Sequence, residues 1–207
     1  MTLPAPLPRP VLLAALALLR KAFLGLPGDC SGLLASDLPD LARAARGSAL
    51  ETPLAGMAAR SAPGEDAEQA CAGLASAHVA LFVAGREGIP APPYQSCHEG
   101  DGLMLGPAAE AMQRRLAAEG LAVSGPASEP ADHLPVQIEF LYYLVSAGRD
   151  AAAAAFAREV PGTWAGRFRQ AVARAAGEDR DKGFFVQAAD LLLATLDEAA
   201  RLDRREA

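Results

Sequence analysis

Residues 128–148 read SEPADHLPVQIEFLYYLVSAG, and their reading decides how the rest of the chain is parsed. Glu129 and Pro130 have the chemistry of a turn, and Asp132 carries the short acceptor side chain of a helix N-cap. Pro135 fits the first helical turn, where amides have no intrahelical partner to lose. Ile138, Leu141, Tyr142 and Val145 recur at helical spacing, and Gly148 ends the run. The stretch predicts a loop, a cap at Asp132 with His133 in the first turn, and a helix to Ala147. As local structure this is complete, and taken alone it gives Asp132 and His133 no further role.

The same punctuation divides the chain on both sides. Leu12, Leu13, Leu16, Leu19 and Phe23 make an apolar stripe that opens near Pro8 and Pro10 and stops at Gly25 and Pro27. Helices are predicted over Leu33 to Ala45 and around Pro53 to Ala59. After a Ser61–Glu65 loop, another carries Ala67, Cys71, Leu74, His78, Leu81 and Phe82 on one face. Glycine and proline crowd residues 85–107, so no helix persists there; a structureless connection of that length inside a domain is often functional. Pro107 to Gly120 predicts a helix, and residues 121–131 a second loop. Further helices are expected at Asp150 to Val160, Thr163 to Ala176, and Asp179 to about Leu202. The expectation is all-α: one compact domain spanning 1–207, with about nine or ten mostly antiparallel helices and the 85–107 and 121–131 loops forming the site.

Composition narrows the function classes. Apolar residues at 51% and charged residues at 21% are ordinary for a folded chain and unlike a disordered one. A net charge of −6 argues against nucleic acid, whose phosphates call for a basic face, and weakly favours a basic partner. The run from Val11 to Leu19 is short of the roughly 20 residues that span a bilayer, and Arg20 and Lys21 follow it where a signal cleavage site would stand. No membrane insertion is expected. Cys30, Cys71 and Cys97, odd in number and without a C-x-x-C pair, predict no disulfide framework and a reducing compartment, hence the cytoplasm.

Chemistry-bearing patterns are few. His78, His98 and His133 share no metal-ligand spacing, and neither a phosphate-binding loop nor a dinucleotide fingerprint is present. Neither metal nor cofactor is expected. A nucleophile built on Cys97 and a histidine depends on spatial geometry that the sequence does not reveal. The remaining candidates are the acidic cap segment and Ala91–Ser96, where two prolines present Tyr94 either as a recognition surface or as a lid on the core.

Taken together, these pieces resemble the TorD/DmsD/NarJ-type redox enzyme maturation chaperones. The resemblance rests on Leu81–Phe82, Gly85, Pro92–Pro93–Tyr94–Gln95–Ser96, Gly100–Asp101–Gly102 and Glu129–Pro130–Ala131–Asp132–His133, and continues through Phe156, Trp164 and Phe184–Phe185. The EPxDH run is its most specific piece. Tyr94 stands where the family often has tryptophan, and Glu159–Val160–Pro161 fill the place of a usual histidine. The resemblance implies binding without turnover. Such a chaperone holds the signal peptide, often twin-arginine, or another N-terminal segment of a molybdopterin oxidoreductase catalytic subunit, and assists cofactor insertion, assembly and export. Leu81, Phe82, Pro93 and Tyr94 would form an apolar groove wall, with Glu129 and Asp132 supplying charge for guanidinium groups and Pro130 and His133 beside them, where His133 would orient Asp132, donate to a peptide carbonyl or simply fill the first helical turn. Self-association as a homodimer is compatible with an exposed groove. The alternative is a helical scaffold or regulatory interaction protein with no signal-peptide client.

Overall fold

A computed structural model describes residues 7–25, 30–60, 66–85, 88–99, 104, 106–123 and 129–204. Pro27, the Ser61–Glu65 loop and the Gly100–Asp101–Gly102 turn lie outside the described residues, as does residue 128 with the four before it. Among the described residues there are nine α-helices: α1 (Arg9–Leu24), α2 (Leu38–Ala44), α3 (Glu51–Arg60), α4 (Ala67–Phe82), α5 (Pro107–Ala118), α6 (Leu134–Ser146), α7 (Asp150–Glu159), α8 (Pro161–Ala176) and α9 (Arg180–Ala199). No described helix is long and apolar enough to cross a membrane.

The centre of the fold is α9. Phe184, Phe185, Ala188, Ala189, Leu191, Leu192 and Leu196 are all buried, so it is apolar around much of its circumference, and it packs on α1, α3, α4, α7 and α8. Phe23 of α1, Phe82 of α4, Phe168 of α8 and Phe185 of α9 form a ring cluster with centroids 5.2–5.8 Å apart, mostly edge to face. Each such ring contributes about 1.5–3 kcal/mol by leaving water. His78 joins the cluster 5.2 Å from Phe82, with its Nε2 3.2 Å from the Phe23 carbonyl oxygen.

The helix that positions the site, α6, lies chiefly against α1 and α7. Arg9 fixes this pairing: its guanidinium donates to the Val145 carbonyl at 2.6 Å and to the buried Asp150 carboxylate at 2.8 Å. The start of α1 is thereby tied to the α6–α7 corner.

Three expectations are corrected. The helix predicted over Leu33–Ala45 opens as a π-helical segment, Leu33–Asp37, before α2. Pro39 is the physical reason, because it has no amide for the Ala35 carbonyl and its ring would clash there, whereas a wider turn lets Leu38 donate to Leu33 instead. Second, α8 begins at Pro161 rather than Thr163, proline being preorganised for a first helical position. Third, Cys30 and Cys71 form a disulfide with Cα atoms 5.5 Å apart, and Cys97 is free. Spacing in the sequence does not record which cysteines helix packing brings together.

Candidate functional site

The two glycine- and proline-rich loops meet. Tyr94 and His133 form an isolated antiparallel β-bridge: Leu134 N–H donates to the Pro93 carbonyl at 2.8 Å, and Gln95 N–H to the Asp132 carbonyl at 3.2 Å. Asp132 completes the junction from inside. Its side chain is fully buried, and Oδ2 accepts the Ser96 N–H at 2.8 Å. This overturns the expected N-cap role: α6 starts at Leu134, His133 is the residue before it with extended backbone, and no side chain caps the helix. The Asp132 carboxyl is spent on the other loop, a long-range use that local cap rules do not anticipate.

Above this junction, the Tyr94 and His133 rings stack with centroids 4.7 Å apart, and the Tyr94 hydroxyl donates to Glu129 at 2.7 Å. His133 Nδ1 lies 3.9 Å from the same Glu129 oxygen, too far for a hydrogen bond, and has no partner although the residue is only 6% exposed. Burial pushes the His133 imidazole down to about 4 against the pull of Glu129 and Asp132, so the ring is neutral at physiological pH. Burial and the bonded Glu129 raise the Tyr94 phenol, which stays a donor.

Beside the cluster runs a groove of about 550 Å³ between α1, α5, α6 and residues 121–123. Its walls are mainly apolar: Leu24, Leu116, Leu121, Val123, Val136, Phe140, Tyr142 and Tyr143, with Arg20, Glu129, His133 and Glu139 supplying charge and polarity. Leu24, Leu121 and Tyr142 are exposed, which is unusual for side chains of that size gathered in one place. Residues 121–123, Leu116 and Glu129 also line a second cleft of about 400 Å³ toward Pro130 and Ala131.

The expected site residues therefore divide. Tyr94, Glu129 and His133 come together, and Glu129 and His133 face the groove, while Pro130 lines the adjoining cleft. Asp132 lies beneath them as a structural clamp. Leu81 and Phe82 are core residues at 0% and 3% exposure and do not line the groove; Pro93 is buried, contributing its carbonyl. The groove wall instead comes from α1, α5 and the outer face of α6. Tyr142, expected on the buried stripe, is 39% exposed and belongs to that outer face.

A polar relay, buried at its Trp164–Gln137–Gln95 end and open to solvent at Thr163, has little signature in the sequence. Trp164 Nε1 donates to Gln137 at 3.1 Å, and Gln137 Nε2 donates to Gln95 at 2.8 Å. Gln95 donates on to Glu99 at 2.8 Å, and Glu99 accepts from Thr163 at 2.8 Å. His98 stacks on Trp164 at 5.3 Å. The long loop is thus stapled to α6 and α8 by side chains. A glutamine one position before Ile138 on the apolar side of α6 was the only available signal, and a weak one.

Nothing in this arrangement activates a nucleophile. Burial and the nearby Asp132 push the Cys97 thiol up, away from the reactive thiolate, and burial pushes His98 down with its Nε2 2.8 Å from the Pro92 carbonyl oxygen. Among the described residues, no group of three or more His, Cys, Asp or Glu is placed to hold a metal ion.

Fold and site together define a class: an all-helical protein with an open groove, apolar along its walls and carrying carboxylates, beside a junction of two loops. Residues 39–170 match the family model described as nitrate reductase delta subunit, and the chain belongs to that family, the NarJ/TorD-type maturation chaperones of molybdoenzymes. No curated protein matches the sequence. Among solved structures, it is similar to a protein from Archaeoglobus fulgidus described as a candidate redox enzyme maturation protein. That similarity has 22% identity and a TM-score of 0.48, covering 87% of this chain and 91% of the other.

Proposed function

We propose that this chain binds the signal peptide or another N-terminal segment of a molybdopterin oxidoreductase catalytic subunit in the groove between α1, α5 and α6. The bound segment is held during cofactor insertion and assembly, and export is delayed until these are complete. The role is binding without turnover, and it belongs to the cytoplasm, where such a client is matured. The observation that carries the reading is the groove itself: exposed Leu24, Leu121 and Tyr142 beside Glu129 and Glu139 suit a segment that combines arginines with an apolar run.

Titration calorimetry with a synthetic peptide carrying two adjacent arginines and an apolar run tests this. Leu121→Lys combined with Tyr142→Ala puts a cation into the groove and removes an apolar wall, both at exposed positions. Binding should weaken at least about tenfold, since two anchoring contacts are lost. Unchanged affinity in a variant that melts normally would remove the groove from the site.

A further inference from the structure

Among the described residues lining the groove, the single cation is Arg20, in the last part of α1. Its Nε donates to Glu139 at 3.1 Å, with the two side chains 40% and 62% exposed. An ion pair that open to water holds little folding energy, so exchanging it for another guanidinium costs little. The groove therefore already contains one example of the contact that an arginine-bearing segment would make. A second observation marks the same groove as incomplete. His133 lines it, is nearly fully buried, and has no partner at Nδ1, which stands 3.9 Å from the Glu129 carboxylate. Both residues line the groove, and by residue count Glu139 lies about 9 Å farther along the α6 axis than His133, a span that roughly three residues of extended chain cover. A segment whose guanidinium reaches Glu139 can thus place another polar group at Glu129, whose side chain is 44% exposed in the same groove.

Building on the peptide-binding reading above, we propose that Arg20 is a resident competitor. It occupies on Glu139 the place that a client arginine takes, and it is displaced when the client binds, so Glu139 is the carboxylate that selects for arginine. A chain segment with the apolar run but no arginine gains nothing from Glu139 and leaves Arg20 where it is. Discrimination between the two kinds of segment is set by the difference between the incoming and the resident guanidinium on one carboxylate.

The test compares two synthetic peptides by calorimetry, one with two adjacent arginines before an apolar run and one with both replaced by glutamine. They are titrated against the full chain and its Arg20→Gln, Glu139→Gln and doubly substituted forms. Both positions are exposed, and thermal melts establish that each variant is folded. The expected result is that Arg20→Gln raises the preference for the arginine peptide by about two- to fivefold, the range of an exposed ion pair removed as competitor. Glu139→Gln should lower that preference about tenfold, as loss of a charge-assisted contact does, and the double variant should match Glu139→Gln alone. If the unsubstituted protein prefers the arginine peptide but Arg20→Gln leaves the preference unchanged or lowers it, the competitor role is wrong while the groove reading stands. Equal binding of both peptides by the unsubstituted protein also overturns the inference alone. If neither peptide binds, the groove reading fails and this inference with it.

Discussion

Asp132 holds the Ser96 amide with one carboxyl oxygen while the other is buried without a partner. Removing the acceptor strands a buried N–H, which costs about 1–3 kcal/mol. Asp132→Ala is therefore expected to lower unfolding stability by that amount in urea titrations, with Asp132→Asn, which keeps an acceptor, losing less. A loss under about 0.5 kcal/mol, the scale of an ordinary surface change, would contradict the clamp role. Any loss of client binding on substituting Asp132 then reports distorted loop geometry rather than a missing ligand contact. His133 makes a prediction about pH. Its folded value of about 4 lies below the ordinary 6.5, so the unfolded chain takes up its proton first as pH falls. The stability contributed by the neutral ring is complete above about 6.5 and is lost between there and about 4. His78 and His98, also lowered by burial, steepen the same decline. Denaturation measured from pH 7 to 4 should show a flatter curve for His133→Gln, by at most about 1.4 kcal/mol per pH unit, the one-proton limit. Identical slopes would place the His133 ring in water. Above pH 6 the neutral ring also predicts client binding nearly independent of pH.

At the scale of elements, Gln137 links α6 to both the long loop and α8 by serving as acceptor and donor at once. Gln137→Leu leaves Trp164 Nε1 and Gln95 Oε1 without partners and should cost about 2–4 kcal/mol, with amide exchange rising across residues 92–99. Exchange confined to α6 would mean that the relay does not hold the loop. What the sequence disclosed follows from which forces are local. Pro8, Gly25, Pro107 and Gly148 act on their immediate neighbours, so α1, α5 and α6 were readable to within a few residues. Tyr94, Glu129 and His133 were legible as a group only through family resemblance. Leu24, Leu121 and Tyr142 were not legible as a groove, because each reads as an ordinary apolar residue and only packing reveals that it stays uncovered. Asp132 misled for the related reason that a carboxyl just before a helix suits a cap, and a competing amide 36 positions earlier in the chain is invisible locally.

Over the whole molecule, the Cys30–Cys71 bond closes a 41-residue separation and joins the segment after α1 to α4. Restricting the unfolded chain by a loop of that length is worth roughly 4 kcal/mol, so the oxidised protein should unfold at distinctly higher denaturant than the reduced one. Thiol trapping in intact cells tests the proposed compartment: a reducing cytoplasm keeps both thiols, and recovery of the pair as a disulfide would count against that location. The Tyr94–His133 junction has a different kind of consequence. It closes the chain into a lasso whose interior contains α5, and α5 rests on only three buried apolar side chains, Ala109, Met112 and Leu116, aided by the Arg149–Glu119 and Arg115–Glu159 ion pairs. So lightly held a helix is expected to open below the free energy of global unfolding, and faster amide exchange in α5 than in α1, α6 and α9 would show it. On the peptide-binding reading proposed above, one wall of the groove then yields to the bulk of what enters it, and segments of differing girth are expected to bind with similar affinity.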